Sequence, residues 1–281
     1  MTEPSKPQSS NSRALSLAQI AYNAHKESAK TQRFKLLEYG RTGTGKTRIF
    51  KTARRPVFIC SFDPGGYKTL IDEIDGRTFL VDSRFESEDP WHPKAWALFD
   101  KVFHELKTSG FFSMVGTFGL DSLTTMAQTA LNWVMAKDKR AGTTPFQQDW
   151  YPQMVLVENF LHEMLDLPCD CILTAHPDVM KDDVTGKTFA APMITGKLKG
   201  RIPLLFDEVY YADAVESSKG TEWHLITRKT SMYDARTRLG REGRFDLREK
   251  PDIKYLLEKA GYDYHDLPPL EIKVEGGEPQ G

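Results

Sequence analysis

Cysteine, net charge and long apolar runs are all scarce in this sequence. Three cysteines, Cys60, Cys169 and Cys171, occur in 281 residues, too few for a disulfide framework or a zinc cluster. Cys169 and Cys171 alternate within an apolar run, which suits one face of a strand. Lys+Arg 38 against Asp+Glu 39 leaves a net charge of −1. No global basic field draws nucleic acid, so any such contact has to come from a local patch. No apolar run approaches the roughly 20 residues of a bilayer span, and the first residues lack the apolar core of a secretory leader. The expectation is a reduced, cytoplasmic protein with no membrane partner. Its length and 40% hydrophobic content fit one large globular domain.

The chain is organised around Phe34–Phe50, FKLLEYGRTGTGKTRIF. A short apolar run ends in a glycine-punctuated loop that closes on Lys46-Thr47, and a helix-like run follows. The spacing G-x-x-x-x-G-K-T is that of a phosphate-binding loop. Gly40, Gly43 and Gly45 open backbone conformations that let successive N–H groups turn toward a phosphate. Gly40, Arg41, Thr42, Gly43, Thr44, Gly45, Lys46, Thr47 and Arg48 are the expected nucleotide-binding residues. Lys46 is placed to bridge the β- and γ-phosphates and the Thr47 hydroxyl to sit on Mg²⁺. ATP is the expected nucleotide, because no guanine-reading N/TKxD pattern is evident.

Further along, Phe112–Leu120 reads as a strand ending in Asp121. A carboxylate at a strand tip downstream of a phosphate loop is placed to hold the Mg²⁺ hydration shell; the alternative is that Asp121 caps the next helix. Strands are also read at Val57–Phe62, Thr78–Val81, Cys171–Ala175, Val209–Ala214 and Trp223–Thr227. Helices are read at about Lys68–Ile74, Trp91–Leu106, Leu123–Ala136, Met154–Leu167, Leu204–Phe206 and Ile253–Ala260. Alternation of strands and helices from 34 to 176 predicts a mostly parallel sheet. The later strands suggest antiparallel extensions. A flexible tail with a short amphipathic helix is expected over 1–30, the ATP-binding domain over 31–260 and a mobile tail over 261–281. Between Ile226 and Tyr255, nine Lys/Arg face five Asp/Glu.

The order of these parts, VFICSFDPGG, then GLDS, LTAH, FDEVYYAD and ITRKTSMYDARTR, resembles phage-encoded nucleotide-binding ATPases with a RecA-like core, the group that includes phage single-strand annealing ATPases. The resemblance covers about residues 33–250. It implies an α/β, RecA-like P-loop fold, with a mostly parallel central sheet flanked by helices and antiparallel C-terminal strands. It implies single-stranded DNA binding by two loops, here 137–150 and a stretch at 177–200 that includes a hairpin turning at Thr185-Gly186. Lys137, Lys139, Arg140, Lys181, Lys187, Lys197 and Lys199 would track phosphates, and Phe146 would stack on a base. Both stretches read equally as solvated surface loops. The resemblance also implies a ring or filament of identical subunits, with a phage single-strand binding protein as a further partner. Arg228 and Lys229 then stand where a neighbouring subunit's γ-phosphate would meet cations, or else form a solvated strand-end pair. His176 matches a γ-phosphate-sensing position, or is a satisfied strand-end histidine.

The sequence departs from the resemblance in one place. Relatives with strong activity carry a Glu just past the second strand. Here the strand ends Asp63-Pro64-Gly65-Gly66, leaving Asp63 as the candidate base and predicting weak ATPase activity. The reading is an ATP-switched protein acting on single-stranded DNA in recombination, annealing or replication. The rivals are a nucleotide-gated interaction module without DNA contact and a P-loop small-molecule kinase. For the latter, the Arg-rich 236–248 segment comes late in the chain to serve as a lid.

Overall fold

A computed structural model describes residues 15–24, 33–181, 186–196, 198–218 and 220–271. The chain divides into two units after Arg33. In the first, residues 15–24 form helix α1. The second is built on one sheet. Strands β1 (Lys35–Gly40), β2 (Val57–Ser61), β3 (Phe79–Asp82), β4 (Thr117–Asp121), β5 (Asp170–Ala175) and β8 (Glu208–Ser217) run parallel in the order β8-β1-β5-β4-β2-β3. β9 (Gly220–Ile226) continues the sheet antiparallel to β8, and β11 (Arg248–Glu249) continues it antiparallel to β9; β10 (Arg236–Thr237) pairs antiparallel with β8. β6 (Pro177–Lys181) and β7 (Thr188–Pro192) form a separate hairpin. This is the α/β architecture expected, a mostly parallel sheet flanked by helices, with one difference: β8 joins β1 parallel, so the antiparallel extension starts at β9. Of the hairpin turn, Thr185 lies outside the described residues.

Every residue of β1, β2, β4 and β5 is buried, the pattern of parallel strands covered on both faces. On one face lie helices α2 (Ala95–Thr108), α3 (Leu123–Lys137) and α4 (Trp150–Leu165). Phe99 is the centre of that layer, meeting Phe62, Phe85 and Phe160 edge to face at centroid distances of 5.1, 5.5 and 4.9 Å, the arrangement that ring quadrupoles favour. On the other face, Ile49 and Phe50 pack with Leu256 and Leu257 of α6 (Ile253–Ala260).

Several boundaries differ from expectation for local reasons. The run after the phosphate loop is a seven-residue 3₁₀ helix, Lys46–Thr52, and a second one covers Gly66–Glu73. α2 starts at Ala95, not Trp91, because Pro93 disfavours helical backbone at His92. The Glu88 carboxylate then accepts the Lys94 and Ala95 N–H groups. Helix α5 covers Leu198–Leu205. The segment expected to be a mobile tail is held as far as Leu270, which is buried, with Leu267 and Leu270 N–H donating to Arg55 O and Arg77 O.

Gly119 of β4 is what lets the phosphate-loop helix seat on the sheet. A Cβ there would lie 2.6 Å from Phe50 Cε1 and 2.9 Å from Ile59 Cγ1. Gly119→Ala is expected to destabilise the fold by about 1–3 kcal/mol through overpacking. Denaturant unfolding checks this, and an unchanged midpoint would contradict the packing described.

Candidate functional site

The C-terminal ends of β1, β2, β4 and β5 converge on the loop between Gly40 and Thr47. Gly40 is required by closeness: a Cβ there would lie 2.7 Å from Ala212 O of β8. Gly43 and Gly45 have φ of +84° and +90°, the left-handed region that glycine adopts without steric cost. Lys46 folds back under the loop, its Nζ donating to Gly40 O at 2.7 Å and Arg41 O at 2.9 Å. Burial pulls the Lys46 ammonium below its ordinary pKa, against the opposing pull of Glu38, Asp121 and Asp63.

Thr47 Oγ1 donates to Asp121 Oδ2 at 2.7 Å, and Thr174 Oγ1 donates to Asp121 Oδ1. Burial raises the Asp121 carboxyl, with those two hydroxyls working in the opposite direction. The cap of the following helix is Ser122 and not Asp121: the Ser122 side chain accepts from Thr125 N–H. Among the described residues no cluster of three His, Cys, Asp or Glu side chains could hold a metal alone. A hydroxyl and a carboxylate side by side fit Mg²⁺, an oxygen-seeking ion that keeps most of its waters and takes phosphate oxygens. Thr47 and Asp121 are the residues that would hold it.

Asp63 sits across the cleft. Ser122 Oγ donates to Asp63 Oδ1 at 2.8 Å, Thr125 Oγ1 donates to the same oxygen, and His176 Nε2 lies 3.2 Å from Oδ2. Burial pushes the Asp63 carboxyl up, but these hydrogen bonds outweigh it and hold the group below the usual carboxylate range. Lys46, Thr47, Asp63, Asp121 and His176 border one cleft of about 310 Å³.

Other expected residues lie elsewhere. Arg228 and Lys229 are exposed, and Lys229 pairs with Asp234 at 3.6 Å; neither borders the cleft of its own chain. Arg140 is tied to Asp149 and covers the Phe146 ring at 4.6 Å. Lys137 Nζ lies over the Trp133 ring at 5.1 Å. Lys139 takes a left-handed turn at φ 58°, and Lys181 is exposed at the end of β6. Lys187 precedes β7, Lys199 pairs with Asp178, and Lys197 lies outside the described residues.

The structure also builds a groove. A cavity of about 900 Å³ runs between the start of α4 and residues 193–201, bordered by Gln147, Trp150, Tyr151, Met193, Lys199 and Arg201 among others. Of the described residues expected to bind DNA, Lys199 alone borders it. Trp150 and Tyr151 are 36% and 70% exposed. Thr124, three residues past Asp121, joins groove to cleft: its hydroxyl donates to Met193 O at 2.9 Å and accepts from the His176 N–H at 3.0 Å.

Sequence reasoning also missed Glu86 and Glu38. Glu86 accepts from Ser61 Oγ at 2.6 Å and Gly65 N–H at 2.7 Å, fixing the turn that carries Asp63; no motif marks it. Glu38 lies buried in β1, its carboxyl raised well above the usual range by burial and opposed by Lys46.

An AAA domain family matches residues 32–239. No curated protein matches the chain by sequence. Among solved structures, the chain is similar to a KaiC-like protein from the hyperthermophilic archaeon Pyrococcus horikoshii OT3. That match has 15% identity and a TM-score of 0.40, over 73% of this chain and 81% of that one. It is also similar to a prototypical ATPase from the type III secretion system of pathogenic bacteria, at 13% identity and a TM-score of 0.39, over 64% of this chain and 52% of that one. The family match takes in most of the sequence and every residue of the phosphate cleft, and this chain belongs to the AAA domain family of P-loop ATPases.

Proposed function

We propose that the chain is an ATP-driven switch that acts on single-stranded DNA through the groove beside its phosphate cleft. The observation that carries this reading is Thr124, whose one hydroxyl bonds both the strand end at His176 and the groove wall at Met193. Phosphates of ATP are cradled by the loop N–H groups and Lys46. Mg²⁺, held by Thr47 and Asp121, would neutralise charge on the phosphates. Asp63, kept ionised and aimed by Ser122, Thr125 and His176, accepts a proton from water as the water oxygen attacks the γ-phosphorus; ADP leaves. Loss of the γ-phosphate alters what Asp63 and His176 face, and Thr124 passes the change to the groove wall. Arg228 and Lys229 are then the cations offered to a neighbouring copy's nucleotide in a ring or filament.

The groove has what a sequence-tolerant strand site uses, exposed aromatic faces with cations beside them. Trp150→Ala and Tyr151→Ala are each expected to weaken single-strand affinity by about 1–3 kcal/mol with little change in salt dependence. Replacing Lys199 and Arg201 by Ala is expected to flatten the salt slope by about 0.7 for each phosphate no longer neutralised. Anisotropy titrations of a labelled oligonucleotide across a salt series measure both. Wild-type affinity in the aromatic variants would contradict the assignment. A second reading, a nucleotide-gated site for a protein segment, is favoured by one observation: the cations are already paired, Lys199 with Asp178 and Arg201 with Glu158. Absence of strand binding at low salt would select it.

A further inference from the structure

Trp223 of β9 reaches back over the phosphate loop from a strand with no motif of its own. Its Nε1 donates to Gly43 O at 3.3 Å, and a Cβ on Gly45 would lie 3.1 Å from its Cδ1. The Arg48 guanidinium lies over its ring at 5.0 Å. The indole therefore forms a wall shared by two cavities. One is the phosphate cleft. The other, of about 270 Å³, is bordered by Thr44, Arg48, Lys51, Thr52, Trp223 and Pro251. Gly45 and Arg48 also border both. A nucleotide whose phosphates lie in the cleft has this second cavity directly beside the loop.

We infer that the second cavity is the nucleobase subsite and that the Trp223 indole is its stacking platform, taking a purine on the face where Arg48 now lies. The inference rests on the reading that the loop binds a nucleoside triphosphate. The same indole face that holds a flat guanidinium through its ring quadrupole offers a flat surface on which a base stacks. The base edge meets little that reads it. The Thr44 hydroxyl donates to Arg41 O, and Thr52 Oγ1 donates to Ile49 O while accepting the Ile253 N–H. Lys51 Nζ lies 3.8 Å from Glu73. The subsite therefore holds adenine and guanine by stacking, without hydrogen-bond selection between them.

The test compares ATP, GTP and inorganic tripolyphosphate, which carries the phosphates without a base. Trp223→Ala is expected to weaken ATP and GTP by the same factor, about tenfold or more, and tripolyphosphate by a clearly smaller factor, since only the nucleotides lose a stacked base. Trp223→Phe, which keeps a ring but loses the bond to Gly43 O, is expected to retain most of the ATP affinity. An equal loss for tripolyphosphate would show that Trp223 merely props the loop and would overturn the inference, as would unchanged ATP affinity in Trp223→Ala. A wild type that binds tripolyphosphate and ATP equally well would overturn the base subsite while leaving the phosphate loop standing. A wild type that binds neither would remove the reading beneath it. Thermal melts of each variant establish that the fold is intact.

Discussion

Asp63→Asn is expected to slow ATP hydrolysis by about 10²–10⁴-fold, the usual contribution of a positioned base, while ATP binds nearly as tightly as before. Asn keeps the size and the hydrogen-bonding positions of the side chain but cannot accept the proton. The three hydrogen bonds that fix Asp63, from Ser122, Thr125 and His176, also depress its basicity below that of a free carboxylate. A weak base far from its working pH transfers protons poorly. Turnover of the wild type alone should accordingly fall below the roughly 10 per second of ordinary enzymes. The sign of the pH dependence follows. A carboxylate with a lowered folded-state pKa stays ionised down to that value. Its contribution to stability is present above the unfolded value of about 3.9 and is lost as pH falls through the lower folded one. Hydrolysis should therefore show no loss assignable to Asp63 at or above that unfolded value. Single-turnover phosphate release gives the rate. An Asn variant as fast as wild type would move the base to another residue.

Lys46→Ala is expected to weaken ATP binding by about 10²–10³-fold, from the loss of charge-assisted hydrogen bonds worth about 1.5–3 kcal/mol each. In the structure the ammonium group is poised rather than idle. Its two partners are loop carbonyls, Gly40 O and Arg41 O, which phosphate oxygens can replace. Its charge also opposes the burial that raises the Glu38 carboxyl. The fold should survive, because Lys46 packs against the loop and not within the two apolar layers. Calorimetric titration with ATP checks this, and equal affinity in wild type and variant would remove the phosphate site itself.

The parts that were legible in the sequence were those where chemistry demands a residue type at a fixed offset. Gly40 to Thr47 carry their conformations and contacts in their spacing, and Asp121 follows from an apolar strand ending in a carboxylate. Helix α6 was legible because Asp252 caps one end and Gly261 turns left-handed at the other. Residues brought in by tertiary folding alone were not legible. Glu86 reaches the turn at Gly65 from a loop 21 residues on, and Trp223 crosses 180 residues to Gly43. The local pairing of the expected DNA contacts was not legible for the same reason. A charge count over 137–150 does not reveal that Asp149 would claim Arg140, or that Trp150 and Tyr151, at the start of a helix, would face the groove instead. Among the described residues no helix is long and apolar enough to cross a membrane, consistent with the scarcity of apolar runs.

The coupling of cleft and groove through Thr124 is tested most directly by one linkage measurement. Single-strand affinity is titrated with Mg²⁺–ATP, with ADP and without nucleotide, and ATP affinity is titrated with and without the strand. If the two sites share the bonds at His176, Thr124 and Met193, ATP changes strand affinity by a factor of about 5–150, and the strand changes ATP affinity by that same factor, as linkage requires. Thr124→Val, which keeps the shape and removes the hydroxyl, brings that factor close to one without abolishing either binding event. A strand affinity that is identical in all three nucleotide states would contradict the account, and so would a coupling factor that the Thr124 variant leaves unchanged.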